Sequence, residues 1–149
     1  MGSMRYLAGF LFLMTCGSAG AQAPATVGTG RGDLAKSRVF TQEQGNIRTM
    51  ANGGHSRDIV HAALATGEAV GMHESVQMPG TKPNPPHVIQ HSEFILVREG
   101  NLAFEHDGLT EKAGPGSIIY VSYGTLHSVR NVGDTPAKYV VIAIGGDQK

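Results

Sequence analysis

From Arg38 onward the sequence is cut into short apolar runs, each closed by a glycine-containing turn. "EAV", "GMHESVQM", "EFILVREG", "NLAFEHDG", "SIIYVSYG", "LHSVRNVG" and "AKYVVIAIGG" follow one another with a turn signal every eight to twelve residues. No stretch sustains an apolar repeat of 3.6 residues, so long helices are excluded. Regular short strands broken by turns mark a β-sandwich or barrel. The glycine content, 21 of 149 residues, is what so many turns require. A chain of this length supports one domain with a real core.

The N-terminus has another character. A single early charge, Arg5, precedes the unbroken apolar run "YLAGFLFLMTC", then "GSAGAQA" with small residues at Ala19 and Ala21. This is the pattern of a cleaved export signal, expected to occupy residues 1–21. The run is short for a bilayer span, which needs about 20 residues. A periplasmic or secreted protein is therefore expected, with no stable membrane partner after cleavage. Lipid attachment at Cys16 is the alternative. Residues 22–34 are small, polar and glycine-rich, and read as a flexible linker. The domain proper is expected over residues 35–147. Cys16 is the sole cysteine, so a processed chain has no disulfide, thiol nucleophile or cysteine-bound zinc. Charges are balanced and no basic stripe is present, which excludes nucleic acid as a partner.

Chemistry concentrates in two segments. "PPHVIQHSEFILVREG" carries His87, His91 and Glu93. In a straight strand His87 and Glu93 would lie about 20 Å apart at about 3.3 Å per residue. Donor atoms must approach a metal to about 2.0–2.3 Å. Sharing one ion therefore requires a reversal, for which Gln90-His91-Ser92 is the natural place. "GPGSIIYVSYGTLHSVRNVGD" supplies His127, following Gly124, where a tight turn can aim it inward. Two imidazoles and a carboxylate leave coordination positions open and suit Fe, Mn, Ni or Zn. The other reading is a metal-free barrel whose histidines are held by hydrogen bonds. Glu74 shares strand parity with Met72, Val76 and Met78. If that face points inward, Glu74 is a buried carboxylate able to act as general base; otherwise it is exposed.

Both segments resemble the paired motifs of the cupin superfamily. In the first, Gly80 is followed by six residues, then His87, Ile89, Glu93 and Gly100. In the second, Gly116 precedes Ser122-Tyr123-Gly124, His127 and Asn131. The resemblance covers about Val70 to Ile144. It implies an all-β double-stranded β-helix (jelly-roll) and a divalent transition metal held by His87, Glu93 and His127. Ile89 stands where the family has its second histidine, and Ser122 where it has proline. His91 can substitute for the missing imidazole or sit behind the ligands. The resemblance also implies a small organic substrate or ligand at the barrel mouth, with Ile89, Phe94, Leu96, Ile119 and Val121 as candidate walls. An exported metal-dependent dioxygenase, isomerase or lyase is expected. The alternative is a non-catalytic binder of a sugar or phenolic with a degenerate metal site. A homodimer is expected as well, since early strands such as "SRVFT" need cover or a partner.

Overall fold

The computed structural model describes residues 32–50 and 53–146. The expected leader and Cys16 lie outside the described residues, as does most of the expected linker. The linker's last residues differ from expectation: Gly32–Leu34 form strand β1, paired in parallel with Ala62–Leu64. Backbone pairing at a sheet edge orders a segment that composition alone leaves loose.

The described residues form eleven strands and no helix. After β1 come β2 (Ile47–Thr49), β3 (His55–Leu64), β4 (Ala69–Gln77), β5 (His87–Val88) and β6 (Ser92–Glu99). Then follow β7 (Leu102–His106), β8 (Leu109–Ala113), β9 (Ile118–Val121), β10 (Leu126–Asn131) and β11 (Ala137–Ile144). One sheet runs β1-β3-β4-β11-β6-β9, with β2 added on β3, and the other runs β5-β10-β7-β8. Apart from β1, every pairing is antiparallel. The arrangement is the double-stranded β-helix that the motifs implied.

Alternation builds the core. On β11, Ala137, Tyr139, Val141 and Ala143 are buried. The first three join Ile95 and Val97 of β6, Ile119 and Val121 of β9, and Leu102 and Phe104 of β7 in one interior. Leu102 is completely buried. Gly100 closes the turn between β6 and β7 with φ +75°, and a Cβ there would stand 2.7 Å from the Ala137 Cα. Only glycine fits that approach.

A second apolar cluster lies on the other side of β3 and β4. Val60, Ala62 and Val70 pack there with Met72, Leu34 and Phe40. A bulge between Asp58 and Val60 re-phases β3, so Ser56 and Asp58 pair with Ser75 and His73 while Val60 pairs with Met72. The sheet thus has apolar cover on its outer face from the N-terminal segment. That frees its inner face to be polar.

Candidate functional site: a polar cavity inside the barrel

The inner face of β4 carries His73, Ser75 and Gln77. With Ser56, Glu93, Ile95, Val129, Tyr139 and Val141 they line a cavity of about 420 Å³. Arg48, Thr49, Met50, Asn84, His87 and Ser128 complete its wall. The volume falls in the range of small-molecule sites. One set of hydrogen bonds closes it. Gln77 Nε2 donates to the Val129 carbonyl at 3.0 Å and to the Tyr139 hydroxyl at 2.9 Å. Gln77 Oε1 accepts from the Asn131 backbone N–H at 2.9 Å. A side chain of one sheet thereby ties down β10 of the other. Tyr139 is buried, and loss of hydration pushes its phenol pKa upward, so it stays neutral.

The bend expected after Ile89 is present at Gln90-His91, and it does more than reverse the chain. It carries the strand from the β5-β10 sheet into the larger one. His87 pairs with His127 across β5 and β10, their ring centroids 4.6 Å apart. Gly124, at φ +79°, donates its N–H to the Ile89 carbonyl at 3.0 Å and sets the turn before His127. His127 is 3% exposed. Its Nδ1 lies 3.1 Å from the Thr125 carbonyl, which can only accept, so Nδ1 carries the proton and Nε2 is left with its lone pair. His87 Nδ1 is similarly directed at the Pro85 carbonyl, at 3.3 Å. His91 Nε2 donates to Glu93 Oε1 at 2.8 Å, and its buried Nδ1 has no partner.

These side chains have the chemistry of a metal site, yet their arrangement does not fit one. Among the described residues, no group of three His, Cys, Asp or Glu is placed to hold a single ion. The Glu93 carboxylate is engaged by His91. Ile89, two residues beyond His87, is 6% exposed and belongs to the main apolar core, so it adds hydrocarbon and no donor atom to this cluster.

Glu74 is a correction. It does not face the cavity. Its carboxylate bridges Arg57, at 2.6 Å, and Arg98, at 3.1 Å, on the outer face of the sheet. The parity with Met72 and Val76 was read correctly, but that face packs under Phe40 and Leu34 rather than into the barrel. Phe94 and Leu96 are likewise exposed outer-face residues, whereas Ile89, Ile119 and Val121 are interior. His106, at the end of β7, is not part of the cavity wall. Its ring stacks on Phe104 at 4.4 Å and binds Glu111 at 2.9 Å and Asp107 at 3.1 Å.

His73 is the cavity residue that sequence reasoning passed over. The signal was available in the opposite phase of β4, where His73, Ser75 and Gln77 alternate with the apolar residues. Burial pushes the His73 pKa below 6.5; Glu93 and Asp58 pull it up, while Arg48 and His61 push it down. Burial also lowers His127, against the pull of the Thr125 carbonyl, with His87 lowering it, Glu93 raising it and His91 lowering it. In the unfolded chain both rings titrate near 6.5. Below that value the unfolded chain binds more protons than the folded one. Their stabilising contribution is therefore full above about pH 6.5 and is lost as pH falls toward the depressed folded values. The urea midpoint is expected to be lower at about pH 5 than at about pH 7.5, and His73→Leu should shrink that difference. A midpoint that rises on acidification would contradict this.

Comparison with known proteins agrees with the geometry. The family described as Cupin domain matches residues 73–143. No curated protein matches the chain. Among solved structures, an RmlC-like cupin from Shewanella frigidimarina is 18% identical with a TM-score of 0.61, over 75% of this chain and 95% of that one. KdgF from a Halomonas species is 14% identical with a TM-score of 0.62, over 74% and 96%. The polyketide cyclase RemF from Streptomyces resistomycificus is 19% identical with a TM-score of 0.57, over 76% and 87%.

Proposed function

With residues 73–143 forming a domain of the cupin superfamily, we propose that this chain is an exported small-molecule-binding protein. Its ligand would occupy the barrel cavity beside His73, His87 and Glu93. The observation that carries this reading is the cavity itself, about 420 Å³, walled by imidazole, carboxylate and hydroxyl groups on one inner sheet face. Such groups fix a ligand's orientation, and the apolar residues among them exclude water from its other side. Export rests on the leader-like N-terminus. A second copy of the chain is the proposed macromolecular partner.

A second reading is an exported metalloenzyme, a dioxygenase, isomerase or lyase with Fe, Mn, Ni or Zn on His87, Glu93 and His127. One observation favours it. His127 and His87 both direct Nδ1 at backbone carbonyls, which orients the ring and leaves Nε2 free, as in metal-binding imidazoles. A bound ion would supply Lewis acidity. Loading it would require Glu93 to leave His91.

Metal content separates the two. Protein purified without chelator is expected to hold under about a tenth of an equivalent of any transition metal, because affinity depends on ligand number and preformed geometry. Ile89→His, which places a nitrogen two residues from His87, is expected to tighten Zn²⁺ binding by about tenfold or more. A full equivalent in the unaltered protein, abolished by His127→Ala, would favour the metalloenzyme.

A further inference from the structure

Resting on the small-molecule reading, we propose that His73 reads a hydroxyl group of an uncharged phenolic ligand. The ring of that ligand would lie against Ile95, Val129 and Val141.

The argument begins with hydrogen bonds. Buried and half-buried polar side chains in folded proteins normally have partners. Gln77 is saturated by the contacts that close the cavity. Tyr139 receives the Gln77 amide; His91 Nε2 is spent on Glu93, and its Nδ1 is sealed away from the solvent. His73 differs: among the described residues its ring makes no hydrogen bond, although it is part of the cavity wall. Neither ring nitrogen is among the sealed, orphaned atoms of the interior. The imidazole is thus presented to the cavity with its hydrogen-bonding capacity unused. A neutral imidazole accepts at one nitrogen and donates at the other, which matches a hydroxyl.

Charge narrows the ligand. Glu93 puts a carboxylate on the wall. The lining guanidinium, Arg48, is already engaged by Asp58 at 3.1 Å. An anionic ligand would meet that carboxylate, and Arg48, largely exposed and shared with Asp58, offsets it only weakly, so an uncharged molecule is favoured. Within an otherwise polar wall, Val141 is the register partner of both His73 and Ile95, and with Val129 they form an apolar patch beside the imidazole. A flat hydrocarbon face fits that patch, where a sugar hydroxyl would be left unpaired.

The test uses the full chain with ¹⁵N-labelled histidine, with chelator present, and resorcinol as the probe. Benzoate and glucose serve as comparators. Resorcinol is expected to bind saturably with a Kd of about 1 mM or below and to shift the His73 ring nitrogen signals. His73→Leu should weaken it about tenfold, while His73→Gln, which keeps a donor and an acceptor, should recover part of that loss. Unchanged affinity in His73→Leu, or ring signals that do not move, overturns the role of His73. Benzoate binding more tightly than resorcinol overturns the charge argument. Glucose binding without resorcinol sinks this inference and leaves the small-molecule reading standing. Silence from all three probes at about 10 mM counts against both.

Discussion

Gln77→Ala is expected to destabilise the domain by about 2–5 kcal/mol, since a buried group left without its partner costs about 1–3 kcal/mol. The side chain is 3% exposed and serves three groups at once: the Val129 carbonyl, the Tyr139 hydroxyl and the Asn131 N–H. Two of these lie on β10, across the interior from β4. Truncation leaves them without the amide at the cavity wall, where water can restore only part of the three-way tie between the sheets. It also opens a void beside Tyr139, which adds a packing loss. For a domain of this size the thermal midpoint should fall by about 10 °C or more. Gln77→Glu is a useful companion, because it keeps the shape but removes the donors. Urea unfolding that shows less than about 0.5 kcal/mol of change in both variants would mean that the two sheets are held by apolar packing alone. Because this amide also closes the cavity, the same variants should loosen ligand binding, and the Tyr139 ring resonances should report it.

The unaltered protein is expected to sediment at twice the protomer mass, and Phe94→Glu to shift it toward monomer by about 100-fold in dissociation constant. On the outer face of the larger sheet, Phe94 stands directly across from Tyr120, and Leu96 from Ile118. These four are exposed by 41%, 53%, 39% and 65%. The rings of Phe94 and Tyr120 already touch, at 5.2 Å between centroids. Elsewhere on this face the chain covers itself, with Leu34 and Phe40 over β3 and β4. Toward β9, an edge strand, that cover ends. An uncovered apolar sheet face beside an open edge suits a second copy of itself. A glutamate at position 94 enters such an interface twice by symmetry, so its desolvation cost is doubled. Sedimentation at about 1–100 µM decides the matter. A monomer across that range for the unaltered chain would end the dimer proposal, and a dimer indifferent to Phe94→Glu would move the interface elsewhere.

Much of the architecture was legible before any coordinates. Turn spacing located most strands because glycine and Asp-Gly pairs commonly interrupt extended chain, as the Asp107-Gly108 turn between β7 and β8 does; Gly71 is the exception, lying inside β4 and joining two runs that the sequence separates. The bend at Gln90-His91 followed from simple reach. The neighbourhood of His87 and His127 followed from motif spacing. What alternation could not give was direction. A strand with one polar and one apolar face is ordinarily placed apolar side inward. On β4 that rule fails, since its apolar face lies under the N-terminal segment and its polar face lines a cavity. Glu74 was misassigned for this reason, and His73 was passed over for the same one.

The sequence by itself determined where the chain extends, where it turns and which side chains share a face, because backbone sterics and the two-residue strand period act locally. Only the tertiary structure decided which face is inside, what covers the other, and that Glu93 pairs with His91 while Ile89 joins the apolar core. Those outcomes depend on contacts between segments far apart in the chain, and on the bulge at Asp58–Val60 that re-phases β3 against β4. No local pattern encodes them.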